Sequence, residues 1–69
     1  MTQCERILKY MDDFGSISTM QAFMDLGITR LASRIHDLRN MGIDIQKHTV
    51  KRHNRYGEIT HYAVYTKAV

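Results

Sequence analysis

The sequence predicts an α+β fold, a three-helix core with a C-terminal β-hairpin, in the order helix, short strand, helix, helix, strand, strand. Three observations carry that prediction. Apolar residues recur at helical spacing up to Met41, as in helices buried on one face. After Gly42 the pattern gives way to alternation among β-branched and aromatic residues. Only Gly27, Ile28 and Thr29 separate the last two helical segments, so those helices must meet at a sharp turn.

Thr2 and Glu5 have the form of a capping box, which starts helix 1 at about residue 2. Cys4, Ile7, Leu8, Met11 and Phe14 then share one face, while Glu5, Arg6, Lys9, Asp12 and Asp13 face water. Tyr10 stands at the edge of the apolar arc and is expected against the core. Gly15 ends the helix after about residue 14. In Ser16-Ile17-Ser18 the isoleucine can pair briefly with a later strand. Ser18 and Gln21 make a second capping box, so helix 2 is expected over about 19–26, with Met20, Phe23 and Met24 as its buried face. Ala22 is small enough to let a crossing helix come close.

Gly27 supplies the positive φ that leaves helix 2, and Ile28 is expected to plug the angle between helices 2 and 3. Thr29 is expected as N-cap of helix 3, which runs over about 29–41 and stops at Gly42, a left-handed C′ residue. Leu31, Ile35 and Leu38 stand at i, i+4 and i+7 and form its apolar face. At about 100° per residue Arg30, Ser33, His36 and Asp37 fall on the flank or far side, with Arg34 at the boundary.

Ile43-Asp44-Ile45 begins the alternation, and Thr49 and Val50 carry an extended segment to about Arg52. Residues 59–66 place Tyr62 and Val64 on one face and His61, Ala63 and Tyr65 on the other. The loop between them contains Asn54 and Gly57, both suited to left-handed positions. An antiparallel hairpin over about 43–66 follows. Residues 1–69 therefore read as one domain with the element order of a winged helix-turn-helix.

Composition narrows the function. A chain of 69 residues buries roughly 60% of the surface its unfolded form exposes, so it is marginally stable or helped by a partner. Hydrophobic residues at 43% and charged residues at 25% argue against disorder of the whole chain. The lone Cys4 excludes an intramolecular disulfide. With no apolar run of spanning length and no charged-then-apolar leader, a reducing intracellular compartment, not a membrane, is expected.

Enzyme signatures are missing: there is no glycine-rich phosphate loop, nucleophile elbow, cysteine pair or His-Glu-x-x-His. His36, His48, His53 and His61 are scattered. His48 and His61 could approach across the hairpin, but no cysteine or carboxylate supports them. No metal, cofactor, small-molecule substrate or catalytic role is expected.

Charge is distributed unevenly. Up to Thr29, Arg6 and Lys9 oppose four acidic residues, for a net −2; from Arg30 onward eight basic residues oppose Asp37, Asp44 and Glu58, for a net +5. The basic half contains helix 3 and the hairpin, which favours a polyanionic partner, and the second helix of a helix-turn-helix suits the major groove of double-stranded DNA. Thr29, Arg30, Ser33, Arg34 and Asp37 are the candidate helix 3 contacts. Arg30 or Arg34 suits bidentate pairing with guanine, and Asp37 suits cytosine N4 or a neighbouring arginine. Arg34 could instead lie along the helix and pair with Asp37, and Arg39 could cover the hairpin or contact a phosphate.

The hairpin tip supplies a second set. No acid interrupts residues 47–55, and Lys51, Arg52, His53, Asn54 and Arg55 are its candidate contacts to phosphates or the minor groove. A solvated loop, with lysines that deter strand aggregation, is the alternative. A third set, Ser18, Thr19 and Gln21, offers polar groups and free N–H donors for a phosphate at the start of helix 2.

The run Arg30-Leu31-Ala32-Ser33-Arg34-Ile35, continued by Asp37-Leu38-Arg39 and Met41-Gly42-Ile43 and preceded by a helix ending at Gly27, carries a resemblance. It resembles the small winged helix-turn-helix domain of phage and prophage proteins of bacteria. That family's pattern is a helix ending in Gly, then Arg-Leu-Ala-x-Arg-Ile-x-x-Leu-Arg, then Gly and a basic hairpin. Arg30, Leu31, Ala32, Arg34, Ile35, Leu38, Arg39 and Gly42 match it. The resemblance implies DNA binding by a transcription regulator or an excisionase-like accessory factor. One such domain covers a short half-site, so a homodimer, cooperative neighbours or a protein partner is expected, through apolar surface near Tyr10, Tyr65 or Ala68-Val69. The alternative is a protein-interaction module, such as a phage-encoded inhibitor of a host protein or nucleoprotein. Structured RNA fits less well, for want of an evident aromatic stacking platform.

Overall fold

Reciprocal capping fixes where the first two helices begin. In the computed structural model, which describes residues 1–67, Thr2 Oγ1 accepts the Glu5 N–H at 3.2 Å while Glu5 Oε1 accepts the Thr2 N–H at 3.3 Å. This box opens α1 (Gln3–Phe14). The Thr2 backbone N–H, and after it the Thr2 hydroxyl, hold the Glu5 carboxyl below its ordinary pKa. Ser18 and Gln21 repeat the arrangement at 3.2 and 3.0 Å between β1 (Ile17–Ser18) and α2 (Thr19–Leu26).

Helix α3 (Leu31–Asn40) starts differently. Ile28 and Leu31 are both buried, and the chain between them must deliver one side chain between the helices and the other into the core. It does so through Arg30 at φ −117°, ψ 58°, outside the helical region. Arg30, not Thr29, is therefore the N-cap, and no side chain caps the helix. Its far end is a Schellman motif. Gly42 at φ +90° lets its N–H reach Arg39 O at 3.0 Å and lets the Ile43 N–H reach Leu38 O at 3.1 Å. Ile43 then packs against the core beside Leu38.

Strands β2 (Ile45–His53) and β3 (Ile59–Lys67) form the hairpin, and the sheet order is β1-β3-β2, antiparallel throughout. The register runs from Ile45↔Lys67 to His53↔Ile59. Ile45, Lys47, Thr49, Lys51 and His53 thus share a face with Tyr65, Ala63, His61 and Ile59. Ile45 and Tyr65 on that face join the core; Gln46, His48, Val50, Arg52, Thr60, Tyr62, Val64 and Thr66 occupy the other. Residues 51–62 are exposed, so the hairpin runs out past the helices as a wing.

The core draws on every element: Ile7, Tyr10, Met11, Ile17, Ala22, Ile28, Leu31, Ile35, Leu38, Ile45 and Tyr65. Six of these (Ile7, Ile17, Ile28, Leu31, Ile35, Leu38) are fully enclosed, each contributing about 1.5–3 kcal/mol of transfer free energy.

Several expectations are corrected. Met20, Phe23 and Met24 are not the buried face of α2: they are 69, 53 and 69% exposed, while Ala22 is fully buried and Leu26 half-buried. The enclosed Ile17 and Ile28 flank this eight-residue helix and seat it through Ala22, which turns Met20, Phe23 and Met24 about 100–160° away from that contact. Phe14 lies exposed in the last turn of α1, its ring 4.7 Å from that of Tyr10. Asn54 does not adopt a left-handed conformation; Gly57 alone in that loop has positive φ. Tyr10 and Tyr65 are themselves buried, while the exposed Phe14 lies beside Tyr10, and Ala68-Val69 lies outside the described residues. His48 faces Val64 and His61 faces Lys51, so those two histidines do not meet across the hairpin.

Candidate nucleic-acid interface

Leu31, Ile35 and Leu38 pin one side of α3, which leaves Thr29, Arg30, Ala32, Ser33 and His36 exposed. Arg34 and Asp37 are half-buried and form an i,i+3 ion pair, Nη2 to Oδ2, at 3.3 Å. The Arg34 Nε is covered and has no hydrogen-bond partner among the described residues. With about two-fifths of each side chain exposed, such a pair contributes on the order of 0–1 kcal/mol and can open toward a better acceptor. Beside Arg30, the N-terminal N–H groups of α3 lack the side-chain acceptor that α1 and α2 possess.

Arg39 has another task. Its Nε and Nη2 donate to Ile45 O at 3.2 and 2.9 Å, tying the last turn of α3 to the first residue of β2. That contact is the cover over the hairpin, one of the two readings of Arg39.

The sheet register divides the basic wing residues. Lys51 and His53 extend the core-side face outward, whereas Arg52 lies on the opposite face with Tyr62 and Thr60. There the structure joins two sets of residues that are distant in sequence. Arg52, Thr19 and Gln21 line one open groove of about 450 Å³, together with Met20, Thr60 and Tyr62. Ser18 borders the same groove but is only 6% exposed, and its hydroxyl is committed to the cap. Thr19 and Gln21 are the side chains of that trio presented to solvent.

At the wing tip Asn54 organises the loop. Its Oδ1 accepts the N–H groups of Tyr56 at 2.9 Å and Glu58 at 3.0 Å, and its backbone N–H donates to Glu58 O at 2.8 Å. Arg55 is exposed beside it, and Tyr56 is 84% exposed. Sequence reasoning missed Tyr56 as a surface feature; an aromatic between Arg55 and Gly57 in a polar loop was the available signal.

Away from this surface, Tyr10 donates from its hydroxyl to Asp25 Oδ2 at 2.5 Å, joining α1 to α2. That bond to Asp25, then burial, raises the Tyr10 pKa above its ordinary value. Among the described residues no group of three or more His, Cys, Asp or Glu could hold a metal ion. No described helix is long and apolar enough to cross a membrane.

Comparison with curated proteins and with solved structures found no match. A family model described as a winged helix-turn-helix domain matches residues 2–68. That span takes in all three helices, the sharp turn between α2 and α3 and the projecting hairpin, and the chain belongs to the winged helix-turn-helix domain family.

Proposed function

We propose that this protein binds double-stranded DNA sequence-specifically, with α3 in the major groove and the wing on the backbone or in the minor groove. The observation that carries the reading is α3 itself: three enclosed residues hold it down while Arg30, Ser33, His36 and the Arg34–Asp37 pair face outward, on the half of the chain with net charge +5. Arg30 and Arg34 pair with guanine, and Asp37 holds Arg34 in line until a base replaces it. Thr29 and Ser33 add short polar contacts. Lys51, Arg52, His53 and Arg55 take phosphates, Asn54 shapes the tip, and Thr19 and Gln21, seated by the Ser18 cap, share a phosphate with Arg52 across their groove. The binding is non-enzymatic and uses no cofactor or metal. A bacterial cytoplasm is the setting, and the role is that of a phage or prophage regulator of transcription or an excisionase-like accessory factor acting as a homodimer.

A second reading has its own observation. Met20, Phe23 and Met24 form an exposed apolar strip along α2, the kind of surface that a protein partner covers. On this reading the chain is a protein-interaction module, such as an inhibitor of a host protein or nucleoprotein.

Selection from random duplex DNA at physiological salt separates the two. DNA recognition by a dimer predicts enrichment of an inverted repeat, and Arg30→Ala or Arg34→Ala weakens binding to it by about 1–3 kcal/mol each. No enrichment, with capture of a protein bait that Met20→Ser and Phe23→Ser abolish, supports the second reading.

A further inference from the structure

We infer that one stripe of α1 is a homodimer contact, on which a second copy of this chain docks antiparallel about a two-fold axis; this rests on the homodimer of the proposed function. Beside α1 an open cleft of about 470 Å³ runs to the end of α2, with Met1, Tyr10, Phe14 and Leu26 as its apolar lining. Met1 and Phe14 are 73 and 70% exposed, and the Phe14 ring continues the buried Tyr10 ring outward at 4.7 Å. Exposed apolar side chains gathered in one place are surface that a partner covers.

Charge selects the partner. Arg6 and Asp13 border the same cleft and, at about 100° per residue, stand within about 20° of each other around α1. The stripe therefore carries a cation at one end and an anion at the other, about 10 Å apart along the axis. Two copies laid antiparallel, with the two-fold between Lys9 and Tyr10, set each Arg6 against Asp13 of the other copy, which makes two equal ion pairs around an apolar centre. Parallel copies would face like with like. Arg6 has no ion pair among the described residues, and Asp13 holds only Lys9, at 3.5 Å in solvent. Asp12, by contrast, is taken by Lys67 at 2.7 Å. The other charges of the cleft are answered within the chain, Lys9 by Asp13 and Asp25 by the Tyr10 hydroxyl.

The stripe also lies where a dimer that reads DNA needs it. Ile7 and Met11 turn another side of α1 into the core that Leu31, Ile35 and Leu38 share, about 100–160° round the helix from Arg6 and Asp13. No residue of α3 or of the wing lines the cleft. A copy docked there leaves the outward side of α3 and the wing uncovered. The strip of Met20, Phe23 and Met24 on α2 is exposed as well, but it carries no charge to set a register or to choose a second copy.

The test is sedimentation equilibrium in the absence of DNA, at up to about 1 mM chain. Wild type is expected to dimerise. Arg6→Asp and Asp13→Arg each set like charges opposite one another twice and are expected to weaken the dimer at least about 10-fold. Both positions are exposed, and circular dichroism checks that each variant folds. Mixed in equal amounts, the two variants regain both ion pairs, so a heterodimer is expected within about threefold of the wild-type dissociation constant. Phe14→Ser is expected to weaken the dimer about 5- to 30-fold through the lost ring. A mixture no more associated than either variant alone overturns the inference. So does loss of the dimer in Phe23→Ser with Arg6→Asp unaffected, which moves the contact to α2 and keeps the homodimer. A monomeric wild type overturns both the contact and the homodimer, and leaves DNA recognition through α3 standing.

Discussion

Leu38 connects local geometry to the candidate interface at the scale of one residue. Its side chain is fully enclosed, and its carbonyl accepts the Met41 and Ile43 N–H groups, each at 3.1 Å, where α3 ends. Leu38→Ala therefore removes buried volume behind the helix that faces outward. A loss of about 2–5 kcal/mol in urea denaturation is expected. Leu31, Ile35 and Leu38 were legible from spacing alone, because a three-turn helix must bury a stripe. Arg34 was not settled that way: i,i+3 spacing allows its pair with Asp37, and only the folded chain shows the pair formed and the Nε covered. Tyr10 gives a pH signature. Its phenol donates to Asp25 and its pKa is raised, so its contribution is complete below the ordinary tyrosine range and is lost as pH rises through the higher folded value. Tyr10→Phe should flatten the alkaline limb of a stability-pH profile followed by thermal denaturation.

At the scale of elements, local chemistry wrote the helix starts and long-range packing wrote their orientation. Both capping boxes and the Gly42 stop depend on residues within one turn, so the sequence exposes them. The rotation of α2 depends on how Ile17 and Ile28 seat it, and its stripe of Met20, Phe23 and Met24 points the wrong way for a prediction from amphipathicity. Met20→Ser and Met24→Ser should therefore each change stability by less than about 0.5 kcal/mol, measured by denaturant titration, where burial would have made them costly. The wing shows the same division. Its basic content was readable, but the separation of Lys51 from Arg52 onto opposite faces, and the joining of Arg52 to Thr19 and Gln21, follow from the strand register and the fold. Asn54→Ala should release the Tyr56 and Glu58 N–H groups, seen as faster hydrogen exchange at those two amides with little change in global stability.

At the scale of the molecule, the principal extents of 39 × 23 × 21 Å suit a small helical body with a long projecting hairpin. The uneven charge is placed accordingly, with the positive half of the sequence holding α3 and the wing. A binding mode built on that half releases counterions and must weaken steeply with salt. The most direct measurement is the duplex affinity of the wild-type chain and of a folded Arg30→Ala/Arg34→Ala/Arg52→Ala variant across a salt series, by fluorescence anisotropy. The predicted result is sequence-specific binding by the wild type, at least about 10-fold weaker in the variant, with a salt slope shallower by one or more. Affinity and slope unchanged in the variant would contradict DNA recognition through α3 and the wing.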